Sequence, residues 1–247
     1  MDNKELENFY TSGYLLAPLF REFAKYILED SENLPVNVAM RSGMPILRAA
    51  QKLGAYENKI KPCWVLNSNI MVPYRCDGEP GCGCRRFGCI NDAKCNDADT
   101  ICGKNLEKFF YSAKLDKPWC FADIGYKGSV PSIFMFKNNG IFRPKHSFLM
   151  SCPYTNWVFS RDYPEWINEQ GFFNFVLDAT PKAANKPEVV TTNGISKLVF
   201  SQNNERVEME NKFYNGFNDG FDTKPDFHAI YDNFLNNNIL YNQGKGY

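Results

Sequence analysis

The 247 residues carry 28 basic and 28 acidic side chains, so the formal net charge is zero, and the overall balance gives no case for a nucleic-acid or polyanion surface. Hydrophobic residues at 44% and charged residues at 23% describe a globular protein with a well-filled core, and 21 Phe and 13 Tyr make that core unusually aromatic. The polar start Met1-Asp2-Asn3-Lys4-Glu5-Leu6-Glu7 has no apolar run behind a basic stretch, which argues against a conventional secretory signal, and no segment approaches bilayer-spanning length. The expectation is a soluble, cytoplasmic protein, with a virion or other particle as the alternative.

Taken in order, residues 5–29 predict a helix, because Leu6, Phe9, Tyr10, Tyr14, Leu15, Leu19, Phe23, Tyr26 and Ile27 recur at three- and four-residue steps. Gly13 and Pro18 suggest a kink in it, or a division into two helices. "VNVAM" (36–40) predicts a short buried strand, followed by the loop Arg41-Ser42-Gly43-Met44. Pro45 suits the first turn of a helix running to about Leu53 and closed by Gly54. "CWVLNS" (63–68) predicts the next strand. Residues 73–104 form a Gly/Cys/Asp-rich insertion with little periodicity, and a helix is expected near 104–113. A strand at 119–123 then leads through a loop into a helix from about Ser129 to Phe136, with "SFLM" (147–150) as a further strand. "DYPEWINEQGFFNFVLD" should be largely helical, "KPEVVTTNG" a strand or loop with a turn, and "KLVF" a strand. Residues 204–241 resemble one or two amphipathic helices, and the Gly-Tyr tail a frayed end.

Strands alternating with helices predict an α/β fold with a three-layer, mostly parallel sheet. The domain reading is a single α/β domain over 1–247, with the Cys-rich insertion at 73–104 and a mainly helical C-terminal extension at 164–247. In such sheets the loops at the carboxyl ends of the strands build the binding crevice.

Two of those loops carry chemistry. Asp123-Ile124-Gly125-Tyr126-Lys127-Gly128-Ser129 offers a carboxylate at a strand end, two glycines, a lysine, and a hydroxyl at the expected N-cap. A strand-to-helix loop also presents unpaired backbone N–H groups and the positive end of the helix dipole, which together attract phosphate. Ordinary turn-and-cap chemistry is the competing reading. The first loop adds Arg41, whose planar guanidinium suits phosphate or carboxylate, beside Ser42 and Gly43. A surface arginine at a strand end is its plain alternative.

These residues carry a resemblance. "VNVAMRSGMPILRAAQKLG" resembles the first glycine loop of the type I phosphoribosyltransferase fold, and "WCFADIGYKGSV" is similar to that fold's later strand and 5-phosphate loop. Both segments, with "SGYLLAPLFREFAKYIL" ahead of them, look even more like the module fused to HAD-like hydrolase domains in bacterial surface-polysaccharide loci. That likeness covers roughly residues 12–70 and 117–137. The phosphoribosyltransferase likeness implies that Asp123 contacts ribose hydroxyls, that Lys127, Gly128 and Ser129, with Gly125 and Tyr126, cradle a terminal phosphate, and that the Arg41–Met44 backbone meets pyrophosphate. Mg²⁺ would arrive on the ligand, and Asp123 and Lys127 would be the catalytic candidates. The sequence also departs from the pattern. Ala122 stands where phosphoribosyltransferases place their first acidic residue, Tyr126 where many carry the acid that handles the base, and no Asp-x-Asp nucleophile motif follows an N-terminal strand as it does in the hydrolases.

Six of the nine cysteines, Cys76, Cys82, Cys84, Cys89, Cys95 and Cys102, crowd the nearly apolar-free insertion. Thiolates at these spacings could hold a structural Zn²⁺ whose binding supplies folding energy, although a paired Cys-x-x-Cys signature is missing. Disulfides would staple the loop equally well in an oxidising compartment, and reduced thiols are the third reading. Cys63, Cys120 and Cys152 read as small buried hydrophobes, and His146 and His228 as structural. The resulting expectation is a phosphoribosyltransferase-like domain that binds a phosphorylated sugar or nucleotide and transfers a glycosyl or phosphoribosyl group. The alternative is a protein that kept the fold without the reaction and uses the Cys-rich loop as a stapled surface for a protein partner.

Overall fold

The computed structural model describes residues 3–40, 43–55, 59–63, 119–124, 142–147, 157–158, 163–168, 170–181, 185–192 and 195–244. Its elements are α1 (Asn3–Asp30), β1 (Val36–Ala39), α2 (Met44–Lys52), β2 (Ile60–Cys63), β3 (Trp119–Asp123), β4 (Phe142–Ser147) and β5 (Trp157–Val158). A 3-10 turn (Glu165–Asn168) and α3 (Gln170–Ala179) follow, then β6 (Asn185–Thr192), β7 (Ile195–Gln202), α4 (Asn204–Gly220) and α5 (Phe227–Gly244). The chain is α/β. The predicted helices at 104–113 and 129–136 and the whole Cys-rich insertion lie outside the described residues.

Strands β2-β1-β3-β4-β5 form one sheet in that order, every adjacent pair parallel. A parallel sheet requires crossovers that cover its faces, so its strands read as apolar runs rather than as alternations. All four residues of β1 are accordingly buried, as are the first four of β3. Pro62 lies on the edge strand β2, where a missing N–H is tolerated. Pro144 falls between Phe142 and Lys145, where β4 slips its register by a residue against Trp119–Phe121 of β3; a bulge is the other place a strand accepts proline. The strand expected at 147–150 thus starts earlier, at Phe142, and the one expected at 63–68 starts at Ile60. The two-residue β5 had no legible pattern.

One face of the sheet presents Val36, Val38, Ile60, Cys120 and Ala122 to an apolar cluster. That cluster also takes in Phe20 and Phe23 of α1, Ile46 of α2, Phe172 and Val176 of α3, Phe213 and Phe217 of α4, and Phe234 of α5. The C-terminal helices therefore share the core of the parallel sheet. On the opposite face, Asn37, Trp119 and Phe121 are also buried, the last two in an edge-on ring contact at 6.4 Å.

The longest seam joins α1 to α4. Contacts climb together along both helices, from Glu7–Lys212 to Arg21, whose Nη1 donates to the Phe221 carbonyl at 2.7 Å, so the two run parallel. At three points the backbones nearly touch. A Cβ on Gly216 would overlap the Tyr10 carbonyl, one on Gly220 the Tyr14 carbonyl, and one on Gly13 the Phe213 carbonyl. Of the two outcomes expected from Gly13 and Pro18, this overturns the division into two helices, since α1 is one continuous helix through both residues. Gly13 is there to admit α4. Pro18 lacks the N–H that would bond the Tyr14 carbonyl, and that oxygen is the one Gly220 packs against. A Cα–H···O contact from Gly220 fits the vacancy. Among the described residues no helix is long and apolar enough to cross a membrane.

Candidate functional site

The strand order reverses between β1 and β3. From β1 the chain moves to β2 on one side and then to β3 on the other. Crossover connections on either side of such a point leave a crevice at the carboxyl ends of the two strands. Val36, Asn37 and Val38 pair with Cys120, Phe121 and Ala122 in parallel register, so continuing the ladder by one residue brings Ala39 beside Asp123. Neighbouring strands stand about 4.8 Å apart, so the two predicted loops leave the sheet side by side. On the far side of Asp123 the register partner is Ser147, the last residue of β4. Sequence reading placed a strand start at Ser147, and its position in this row is visible only through the register.

The turn at Gly43 has a local physical cause. After Met40, which is 1% exposed, the chain turns back so tightly that a Cβ on Gly43 would overlap the Ala39 carbonyl and crowd Val38 Cγ1. Gly43 itself has ordinary right-handed angles, φ −79° and ψ −1°, so glycine is required here by proximity and not by conformation. Helix α2 begins at Met44 with Pro45 in its first turn, and no side chain among the described residues caps it. The Gly43 carbonyl accepts from Leu47 N at 3.2 Å. The far end of α2 is closed as expected by Gly54, whose φ of +78° is the left-handed conformation glycine supplies cheaply.

On β3, side chains alternate between faces. Ala122 is fully buried in the apolar cluster, while Asp123, half-buried, follows Trp119 and Phe121 on the other face. One pair below Asp123 on that face, Asn37 lies opposite Phe121. Asn37 is 2% exposed and its Oδ1 has no hydrogen-bond partner among the described residues. A buried acceptor without a donor costs about 1–3 kcal/mol, so this amide is a polar feature of the buried sheet face that the strand reading passed over. Its only sequence signal was an amide interrupting an apolar run.

Of the predicted site residues, Gly43, Met44 and Asp123 stand at this common edge. Arg41, Ser42, Gly125, Tyr126, Lys127, Gly128 and Ser129 lie outside the described residues, as do Cys76, Cys82, Cys84, Cys89, Cys95 and Cys102. Cys63 and Cys120 are buried, as their strand positions suggested. His146 occupies a register position between Ala122 and Trp157. His228 is exposed near the start of α5. Among the described residues no group of three or more His, Cys, Asp or Glu side chains is placed to hold a metal ion. No known family model, characterised protein or solved structure is significantly similar to this chain.

Proposed function

We propose that the chain binds a phosphorylated sugar or nucleotide, of the phosphoribosyl pyrophosphate type, at the carboxyl edge of β1 and β3 in a three-layer α/β domain. The observation that supports this reading is the reversal of strand order between the two strands whose loops carry Arg41–Met44 and Asp123–Ser129. Burial on both faces at the centre of the sheet is in keeping with layers on each side. Asp123 would hold sugar hydroxyls, Gly125–Ser129 the terminal phosphate, and Arg41 with the start of α2 a second anionic group. Mg²⁺ would enter as a pyrophosphate complex, because Asp123 is one carboxylate at a strand end and a resident ion needs several oxygen ligands.

The buried Ala122 favours binding over turnover. Glycosyl transfer of this kind relies on electrostatic stabilisation of an electron-poor centre with a metal-bound leaving group. The missing acid would have to replace a methyl group packed among Val38, Ile124 and the helices. The second reading, a protein that keeps the fold and the crevice without the reaction, rests on that observation. In it the Cys76–Cys102 segment serves as a contact surface, stapled by zinc or by disulfides.

Thermal denaturation with phosphoribosyl pyrophosphate and Mg²⁺ tests the first reading. A ligand at a hundred times its Kd stabilises by about 2.7 kcal/mol, a readily visible rise in Tm. Asp123→Ala should abolish the rise while leaving the unliganded Tm close to wild type. The absence of any shift at millimolar ligand would refute binding and leave the second reading. Metal analysis with thiol titration separates zinc from disulfides in the insertion.

A further inference from the structure

Away from the sheet edge, the 3-10 turn and the start of α5 enclose an open groove of about 900 Å³ lined by Trp166, Lys224, Asp226, Phe227, His228 and Tyr231. Its aromatic wall is held rigidly. Trp166 meets Phe172 edge-on at 5.0 Å and packs against Tyr231 at 5.1 Å, while Phe227 packs on Tyr163 at 5.4 Å. Rings fixed in this way cost little entropy when a ligand is laid on them. Tyr231 nevertheless remains 38% exposed, a large apolar surface with no other evident use. His228 and Tyr231 are three residues apart and share a face of α5.

The polar groups around that wall are of mixed kind. Lys224 only donates, and the imidazole of His228 donates and accepts. Asp226 caps α5, its Oδ1 accepting from the backbone N–H groups of His228 and Ala229, each at 3.1 Å, and its second oxygen is a further acceptor. Asp226 opposes an anionic ligand and Lys224 a cationic one. A neutral ring with one apolar face and hydroxyls around its rim satisfies both the aromatic wall and the mixed donors and acceptors. We infer that the groove binds a pyranose unit of a neutral glycan, its C–H face laid on Trp166 and Tyr231 and its hydroxyls bonded to Lys224, Asp226 and His228. The groove shares no residue with the β1/β3 edge, so this inference stands or falls independently of phosphate binding there.

Saturation-transfer NMR on the intact chain, with maltose, cellobiose, N,N′-diacetylchitobiose and N-acetyllactosamine as probes, tests it. At least one disaccharide should show transfer concentrated on the ring protons of one face. Tyr231→Ala should weaken that sugar about tenfold, the loss of one stacking contact worth roughly 1.4 kcal/mol. Trp166 is packed on Phe172, so Trp166→Ala can fail to fold. Tyr231→Ala and Lys224→Met carry the test instead, with native helicity and Tm checked first. Lack of transfer from all four sugars at millimolar concentration overturns the inference, as does transfer undiminished in Tyr231→Ala. Occupation of the groove by a proline-rich decapeptide in place of the sugars overturns it too, since such segments also dock on aromatic grooves.

Discussion

Glycine appears in two regions of this chain for the same reason, although the sequence suggests a different reason for each. In the turn after β1, Gly43 looks like a loop residue chosen for flexibility. Within α1 and α4, Gly13, Gly216 and Gly220 look like weak points of helices. In both places the glycine is where backbone meets backbone: the Ala39 carbonyl at Gly43, and the Phe213, Tyr10 and Tyr14 carbonyls at the others. The turn is held by a single such contact and a short helix. The seam repeats the contact along two long parallel helices and surrounds it with Phe20, Phe213 and Phe217. The seam therefore carries stability, and the turn sets where α2 starts beside the end of β1.

The substitution that strains this comparison most is Gly216→Ala. Its Cβ would overlap the Tyr10 carbonyl and lie 3.0 Å from Tyr14 N, both of them backbone atoms that cannot rotate away. Alanine gains about 1 kcal/mol of intrinsic helix preference, but forcing two packed helices apart costs more than it gains. A net loss of about 2–4 kcal/mol is expected in urea unfolding, a large share of the 5–15 kcal/mol typical of a domain. An unchanged midpoint would mean that α1 and α4 do not meet at this distance.

Gly43→Ala should cost less, about 1–2 kcal/mol, because one of the two clashing groups is the Val38 side chain and the helical angles of Gly43 suit alanine. Its larger effect is expected on function. Lifting the turn off Ala39 moves the start of α2, so the rise in Tm with phosphoribosyl pyrophosphate and Mg²⁺ should shrink by more than the unliganded Tm falls. Equal changes in both would make Gly43 a purely structural residue.

How much of this was legible follows from the same physics. The strands β1 and β3 and the end of α2 at Gly54 could be read because they depend on local preference: apolar runs for buried strands, and glycine for a left-handed closing residue. Asp123 could be read as a strand-end carboxylate. The seam could not be read, because Gly13 and Gly216 are 203 positions apart and nothing in either helix names its partner. Asn37 was hidden for a related reason. An amide in an apolar strand has meaning only once burial and partners are known, and here its oxygen meets no described donor. The aromatic groove falls in the same class, since Trp166 and Tyr231 each look like core residues until the remaining exposure of Tyr231 is seen.

The smallest effect is expected where the two regions join. Tyr214 of α4 lies under the Arg48 guanidinium of α2, 5.4 Å from its ring centre, and its buried hydroxyl has no hydrogen-bond partner among the described residues. Burial drives its pKa well above the usual 10.0, the Glu210 charge adds to the rise, and Arg48 opposes it. The folded phenol keeps its proton at pH values where the unfolded chain has lost it. This contribution to stability is therefore complete below pH 10 and lost as pH rises beyond it. Tyr163, pushed up to about 12 mainly by burial and further by Glu22, acts in the same direction over pH 10 to 12. Tyr214→Phe deletes an unpaired buried hydroxyl, so stability at pH 7 should change by less than about 1 kcal/mol, and in the stabilising direction. The fall in stability above pH 10 should become shallower but persist, because Tyr163 remains. An alkaline unfolding profile identical to wild type would show that the Tyr214 hydroxyl is not buried between α2 and α4.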